Sequence, residues 1–449
     1  MGGFFFITSQ EEHGGEQDET AGRGRFAAFP ERRHAATQTV DCGRLLDVKN
    51  GTWRERVSIV IEDGTIKSVG PMGSAASGPG PDRIDLSTKS CLPGLIDMHV
   101  HLTSETQPVV DSYRDRLTAD PADLAFRSVK YAERTLMAGF TTVRDLGAQD
   151  GLNVSLKRAI AAGAIPGPRM FTAGKSIATA GGHADPTNNL SHFLSHAIGT
   201  PGPAEGVIDS PEEGRQAVRQ RYKEGADLIK ITATGGVLSQ AASGQNSQYT
   251  EDELKAIVST AKDYGFRVAA HAHGAEGMKR ALRAGVDSIE HGTLMDDETV
   301  GLFKKTGHWY VPTISAGRYV ADKAKDPNYY SALVRPKAAA IGPQLQATFA
   351  RAHKAGVKIA FGTDAGVFPH GENAKEFGYM VEAGMTPIEA IRAATIHAAA
   401  LLDQPQRLGL VEPGFAADIV AVDGDPLRDV KLLEQVKFVM KEGVVYKKL

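Results

Sequence analysis

Apolar residues fall in two patterns along the chain. Near both ends they form short β-rich runs bounded by turn residues, while through the middle short apolar runs alternate with helical stretches. From residue 39 to about 93 the chain reads as strands and turns. Arg56-Val-Ser-Ile-Val-Ile-Glu-Asp-Gly-Thr-Ile-Lys-Ser-Val69 is two such runs joined by Asp63-Gly64, a strong hairpin signal. A Gly/Ala/Ser/Pro loop covers 73–81. The C-terminal end repeats this style in Ala417-Asp-Ile-Val-Ala-Val422 and again between Val436 and Tyr446. Two β-rich ends around a different middle predict one small β-sandwich domain built from residues 38–93 and 408–449.

Strand candidates in the middle are 95–99, 141–145, 170–173, 228–232, 268–271, 288–291, 310–313 and 359–363. Helical stretches lie between most of them, at 122–137, 211–224, 251–264, 275–284, 297–305 and 344–355. A further helix starts at Thr386-Pro-Ile-Glu389, with an N-cap hydroxyl, Pro at the first position and Glu at the third. Eight strands with intervening helices predict a (β/α)8 TIM barrel over 94–407, whose active site gathers at the C-terminal ends of the strands. A doubly wound open sheet is the alternative, but no Gly-x-Gly-x-x-Gly turn follows the first strand.

Residues 1–37 differ from the rest. One apolar patch, Phe4-Phe-Phe-Ile7, precedes Gln, Glu, Gly, Asp and Arg, and reads as a disordered extension or a mis-set start codon. It lacks the basic start, longer apolar stretch and cleavage site of a signal peptide, so a cytoplasmic protein is expected as written. Export stays open if that extension is not native. Apolar content of 41% with 23% charged residues describes an ordinary globular chain. A net charge of −3 without a dense basic block argues against a nucleic-acid partner. No run of about 18 apolar residues predicts a membrane span. Cys42 and Cys91 are too few for a disulfide framework, so free thiols are expected.

The candidate chemistry sits at the ends of the middle strands. Pro93-Gly-Leu-Ile-Asp-Met-His-Val-His101 ends an apolar strand with a His-x-His pair, and residues two apart on a strand share a face. Lys230, His271, His291 and Asp364 end four later strands. Imidazole and carboxylate together suit zinc or a similar divalent ion. Lys230 stands among Leu228, Ile229 and Ile231, where an ammonium is costly unless paired or neutralised. A salt bridge is one resolution. A depressed pKa that lets the amine add CO₂ is the other, since a carbamate has two oxygens with which to bridge two cations. No Gly-x-Ser-x-Gly elbow offers a competing nucleophile.

With Gly362-Thr-Asp364 downstream, this set resembles the metal-dependent amidohydrolase superfamily in its binuclear form, over about residues 39–449. Ile229-Lys-Ile-Thr-Ala-Thr-Gly-Gly-Val237, Gly181-Gly-His183, His271-Ala-His273 and Ile289-Glu-His-Gly292 resemble its Xaa-Pro dipeptidase-like branch, which includes ochratoxin-hydrolysing amidohydrolases. The resemblance implies two divalent metal ions, zinc first among them. His99, His101 and Asp364 would hold the buried one, His271 and His291 the outer one, and N6-carboxylated Lys230 both. It further implies a metal-bridging hydroxide as nucleophile, with Asp364 as general base and then acid.

His183 and His273 are candidates to bind the carbonyl oxygen or a substrate carboxylate. Val237 and Leu238 would line the pocket, and Tyr249 and His370 could touch substrate. His192, His196, His308, His353 and His397 read as surface or packing residues. The expected substrate is a small-molecule amide that ends in an amino acid: a dipeptide, an N-acyl amino acid or ochratoxin A. The resemblance also implies a homo-oligomer, with an octamer among the sizes. A cyclic-amide hydrolase or lactonase on the same metals is the alternative. A mononuclear deaminase would leave Lys230 without a place, and a non-catalytic scaffold would not need all six ligands.

Overall fold

A computed structural model describes residues 37–73, 83–242 and 244–448. All but the last residue of the extension expected over 1–37, and most of the loop expected over 73–81, lie outside the described residues. The first strands are β1 (Gln38–Asp47), β2 (Thr52–Glu62), β3 (Thr65–Pro71) and β4 (Arg83–Pro93). The β2–β3 hairpin closes with Glu62 opposite Thr65, and Asp63 and Gly64 both take positive φ, at 48° and 73°. That pair of left-handed residues is what a tight two-residue turn requires.

The middle then alternates. β5 (Leu95–Val100) leads to α1 (Val109–Thr118) and α2 (Pro121–Met137), β6 (Phe140–Asp145) to α3 (Leu152–Ala161), and β7 (Arg169–Thr172) to a short pair, β8 (Ala178–Thr179) and β9 (Val207–Ile208), around α4 (His192–Ile198). After α5 (Pro211–Glu224) come β10 (Ile229–Thr232), α6 (Glu251–Asp263), β11 (Val268–Gly274), α7 (Ala275–Ala284), β12 (Ser288–Leu294) and α8 (Asp297–Thr306). β13 (Trp309–Val311), α9 (Ile314–Lys323), α10 (Val334–Lys354) and β14 (Lys358–Ile359) follow, then α11 (Lys375–Glu382), α12 (Pro387–Arg392) and α13 (Ala398–Leu401). Thr386 caps α12 in the expected capping box with Glu389. α10 begins ten residues before the expected 344, running through Pro343. Its Gly342 packs so closely on α9 that an added Cβ would lie 2.4 Å from the Gly317 carbonyl oxygen.

β5–β6–β7 form a three-stranded parallel sheet and β10 to β14 a five-stranded parallel one. Isolated parallel bridges join Ile177, past the end of β7, to Ile231 of β10, and Val100 of β5 to Ala365, past the end of β14. Every residue of β5, β6 and β10 is buried, as expected of strands covered on both faces.

The last strands, β15 (Ile419–Val422), β16 (Phe438–Lys441) and β17 (Val444–Lys447), join the first four in one seven-stranded sheet, β17-β16-β15-β4-β1-β2-β3. Both chain ends thus share a sheet. Arg169 of β7 ties it to the parallel strands, reaching Asp418 at 2.6 Å and Glu442 at 3.0 Å.

The cysteines correct the expectation of free thiols. Cys42 and Cys91 are fully buried, with Cα atoms 6.0 Å apart, and form a disulfide. They become neighbours only when β1 pairs with β4 through a register shift at Gly43, where a Cβ would meet the Ser87 carbonyl oxygen at 2.3 Å. A count of two cysteines carries no trace of that pairing.

Candidate metal centre

β5 and the residue after it bring Asp97, His99 and His101 to one face by the two-residue period of a strand. Asp97 serves as an internal brace: its carboxylate accepts from the Thr363 hydroxyl at 2.6 Å and the Asn373 amide at 2.8 Å. β10 supplies Lys230, and β11 supplies His271 and His273 by the same period. Glu290 and His291 on β12 are adjacent, so a regular strand would send them to opposite faces. His291 instead has φ 71°, which turns the strand end and brings its ring to the cavity as well. Thr313 (φ 53°) and Asp364 (φ 61°) share this left-handed backbone, a strain of about 1–3 kcal/mol each of the kind found at functional sites.

The six expected ligands, His99, His101, Lys230, His271, His291 and Asp364, line one cavity of about 210 Å³. His183, His273, Val237 and Leu238 line it too. Ala316, Gly317 and Val320 of α9 and Ile341 and Leu345 of α10 complete an aliphatic wall. A larger cavity of about 670 Å³ adjoins it, with His101, Ser176, His183, Ala184, Leu238 and Val367 facing both.

Asp364 Oδ1 lies 3.4 Å from His99 Nε2 and 3.3 Å from His101 Nε2. These three residues place one donor atom each within 4.8 Å of one another. Asp364 Oδ1 is buried without a well-formed hydrogen bond among the described residues. The other imidazoles stand close, with ring centres of His99 and His291 5.0 Å apart and those of His271 and His291 4.7 Å apart.

Each imidazole has one nitrogen tied to protein. His99 Nδ1 meets Glu290 Oε2 at 2.9 Å, and His101 Nδ1 donates to the Gly147 carbonyl at 2.9 Å. His271 Nε2 donates to the Gly235 carbonyl at 3.1 Å, and His291 Nδ1 meets Thr313 Oγ1 at 2.8 Å. Such outer bonds leave the second nitrogen of each ring available as a ligand. The donor set therefore fits divalent metal ions.

Burial dominates the electrostatics. It drives the Lys230 ammonium down to about 8, against the pull of Glu290 and Asp364. The lysine is 4% exposed, and among the described residues no carboxylate stands within ion-pair distance of it. The salt-bridge alternative thus finds no support. Burial also lowers His271 and His291 far below the usual imidazole range. It pushes the Asp364 carboxyl up, but His99, His101 and Lys230 outweigh it and hold that carboxyl below its ordinary value.

His183 and His273 are held neutral, at about 4 and about 3, again by burial first. His183 stacks on His271 with ring centres 4.4 Å apart, and its Nδ1 has no hydrogen-bond partner among the described residues. His273 turns Nδ1 to Thr293 Oγ1 at 2.7 Å.

Two expected substrate contacts lie elsewhere. Tyr249 is a core residue whose hydroxyl donates to the Ile177 carbonyl at 2.7 Å, outside the cavity lining. The tight return of the loop after β10 carries it into the sheet–helix interior. His370 is likewise buried away from the cavity, stacked on Tyr131 with ring centres 4.9 Å apart. Sequence reasoning missed Glu290, Thr313 and Gly235 as partners of the imidazoles. Glu290 was visible inside the Ile-Glu-His-Gly motif, but the backbone turn that lets it share a face with His291 was not.

The structure thus sets a potential metal-binding His/Asp group beside the strand ends of an alternating α/β chain. The amidohydrolase family profile matches residues 91–446, and the chain belongs to that family. Ochratoxinase of Aspergillus niger is 32% identical over 435 residues, spanning 92% of this chain and 87% of that protein. A solved Xaa-Pro dipeptidase with methionine bound in its active site has a TM-score of 0.88 and 50% identity, over 92% of this chain and 100% of that one. A prolidase complexed with N-methylphosphonate-L-proline has a TM-score of 0.82 and 31% identity, with the same coverage of both chains. The chain is a hydrolase acting on carbon–nitrogen bonds.

Proposed function

We propose that this chain is a binuclear metal-dependent amide hydrolase that releases a C-terminal amino acid from a dipeptide or N-acyl amino acid, ochratoxin A included. One observation carries the reading: the six candidate ligands share one cavity, with one nitrogen of each ligand imidazole already bonded to protein. The parallel strands are taken to close as a (β/α)8 barrel, supported by the parallel bridges that the chain after β7 makes to β10 and the chain after β14 makes to β5. The sheet shared by both chain ends supports the proposed second domain, over 38–93 and 408–449.

In this reading His99, His101 and Asp364 hold one ion, His271 and His291 the other, and carboxylated Lys230 both. When bound, such ions lower the pKa of water and polarise a carbonyl. Asp364 accepts the proton of the attacking water and passes it to the leaving amine. Neutral His183 and His273 can offer an N–H to the carbonyl oxygen without bringing a charge. The aliphatic wall suits an apolar side chain. The substrates in the names of the ochratoxinase and Xaa-Pro dipeptidase relatives, ochratoxin and Xaa-Pro dipeptides, support this reading.

The test is incubation with ochratoxin A and dipeptides ending in Pro, Met or Phe, with product analysis and metal determination. Release of the terminal amino acid, abolished by exhaustive chelation, is expected. His99→Ala should lose metal and activity together, and full activity in it would refute the assignment. Lys230→Ala should be inactive and partly rescued by short carboxylic acids that replace the carbamate.

A further inference from the structure

Behind His99 lies a charged pair that the reaction above does not use. Glu290 and Arg144 are both buried, and Arg144 Nη2 donates to Glu290 Oε1 at 2.7 Å. Arg144 Nη1 reaches Ser288 Oγ at 3.1 Å, and Nε donates to the Met98 carbonyl at 2.6 Å. Glu290 Oε1 also accepts from the Ser288 hydroxyl, while Oε2 faces His99 Nδ1 at 2.9 Å. The network therefore clasps three strands: β5 through Met98 and His99, β6 through Arg144, and β12 through Ser288 and Glu290.

Burying two charges costs desolvation that packed apolar side chains would avoid, so stability alone is a poor account of this pair. Its geometry offers a better one. We infer that Arg144 and Glu290 are positioning residues that fix the His99 imidazole for metal binding. The inference rests on the metal-centre reading above. Paired with Arg144, Glu290 stays an acceptor, so it holds the proton of His99 on Nδ1. That leaves the Nε2 lone pair facing Asp364 and His101. The bond from Arg144 to the Met98 carbonyl fixes the backbone one residue before His99.

The experiment compares Zn²⁺ affinity, by chelator competition, with the melting temperature of the metal-free protein. Glu290→Gln should bind Zn²⁺ about 10- to 100-fold more weakly. Its metal-free form, with the buried Arg144 left without its carboxylate, should fold but melt below wild type, and the visible spectrum of bound Co²⁺ should change. Arg144→Met leaves a lone buried carboxylate and can fail to fold. The double variant Arg144→Met/Glu290→Gln removes both charges, and it should fold and show the same weakened binding. Wild-type affinity in Glu290→Gln or in the double variant overturns the inference alone. So does weakening confined to variants whose metal-free form is unfolded. Failure of the wild-type chain to bind either ion overturns the metal-centre reading, and this inference with it.

Discussion

The His370 ring donates its Nε2–H to the Ser104 carbonyl at 2.8 Å, and its backbone N–H bonds the Glu105 carboxylate at 2.9 Å. Both bonds fasten the turn that follows β5, with Tyr131 stacked on the ring and Arg134 paired to Glu105. Burial holds the ring neutral, with its pKa near 4 against the ordinary 6.5. The unfolded chain takes up this proton more readily than the folded one. The stabilisation is therefore whole above pH 6.5 and is lost as the pH falls towards 4. Its size is about 3 kcal/mol at most. The melting temperature of the wild type should drop across that window more steeply than that of His370→Gln, and equal slopes would refute the account. KM should be the same in both, because the ring does not reach the cavity.

The loop after β10 contributes through its glycines. Gly235 gives its carbonyl to His271, and Gly236 leaves room for His183, whose ring atoms would stand 2.2 Å from an added Cβ. Lys337 of α10 holds the loop in place, donating to the carbonyls of Gly236, Ser239 and Ala241 at 3.1, 2.9 and 2.7 Å. Gly236→Ala should push His183 out of position and lower kcat/KM by about 10- to 100-fold. Metal content should stay unchanged; a variant with normal kcat/KM would show that His183 is dispensable.

These details bound what the sequence could reveal. The strands carrying His99, Lys230, His271 and His291 were legible because apolar runs end in chemically unusual residues. The strand expected over 359–363 shrinks to β14 (Lys358–Ile359), since the chain must leave regular pairing to give Asp364 its left-handed backbone. Tyr249 looked like a pocket residue from loop position alone, whereas the fold spends its hydroxyl inside the core.

Across the molecule, residues distant in sequence are joined by a few strong links. Arg169 binds Asp418 and Glu442, so the parallel strands and the sheet of the chain ends share a part-buried ionic joint. The Cys42–Cys91 bond closes a loop of 49 residues inside that sheet. Chain entropy assigns such a loop about 4 kcal/mol, with 2–4 kcal/mol typical of measured bonds. Cys42→Ala/Cys91→Ala should lose stability of that order in denaturant titration while keeping its metal affinity. An unchanged midpoint would show that the cross-link contributes nothing.

A bond of this kind persists only where the surroundings do not reduce it. Produced in a reducing bacterial cytosol, the chain would emerge with two sequestered thiols; secreted into an oxidising space, it would emerge stapled. The choice of expression host thus selects between two covalent versions of one polypeptide, and thiol titration under denaturing conditions would tell a purifier which one is in the tube.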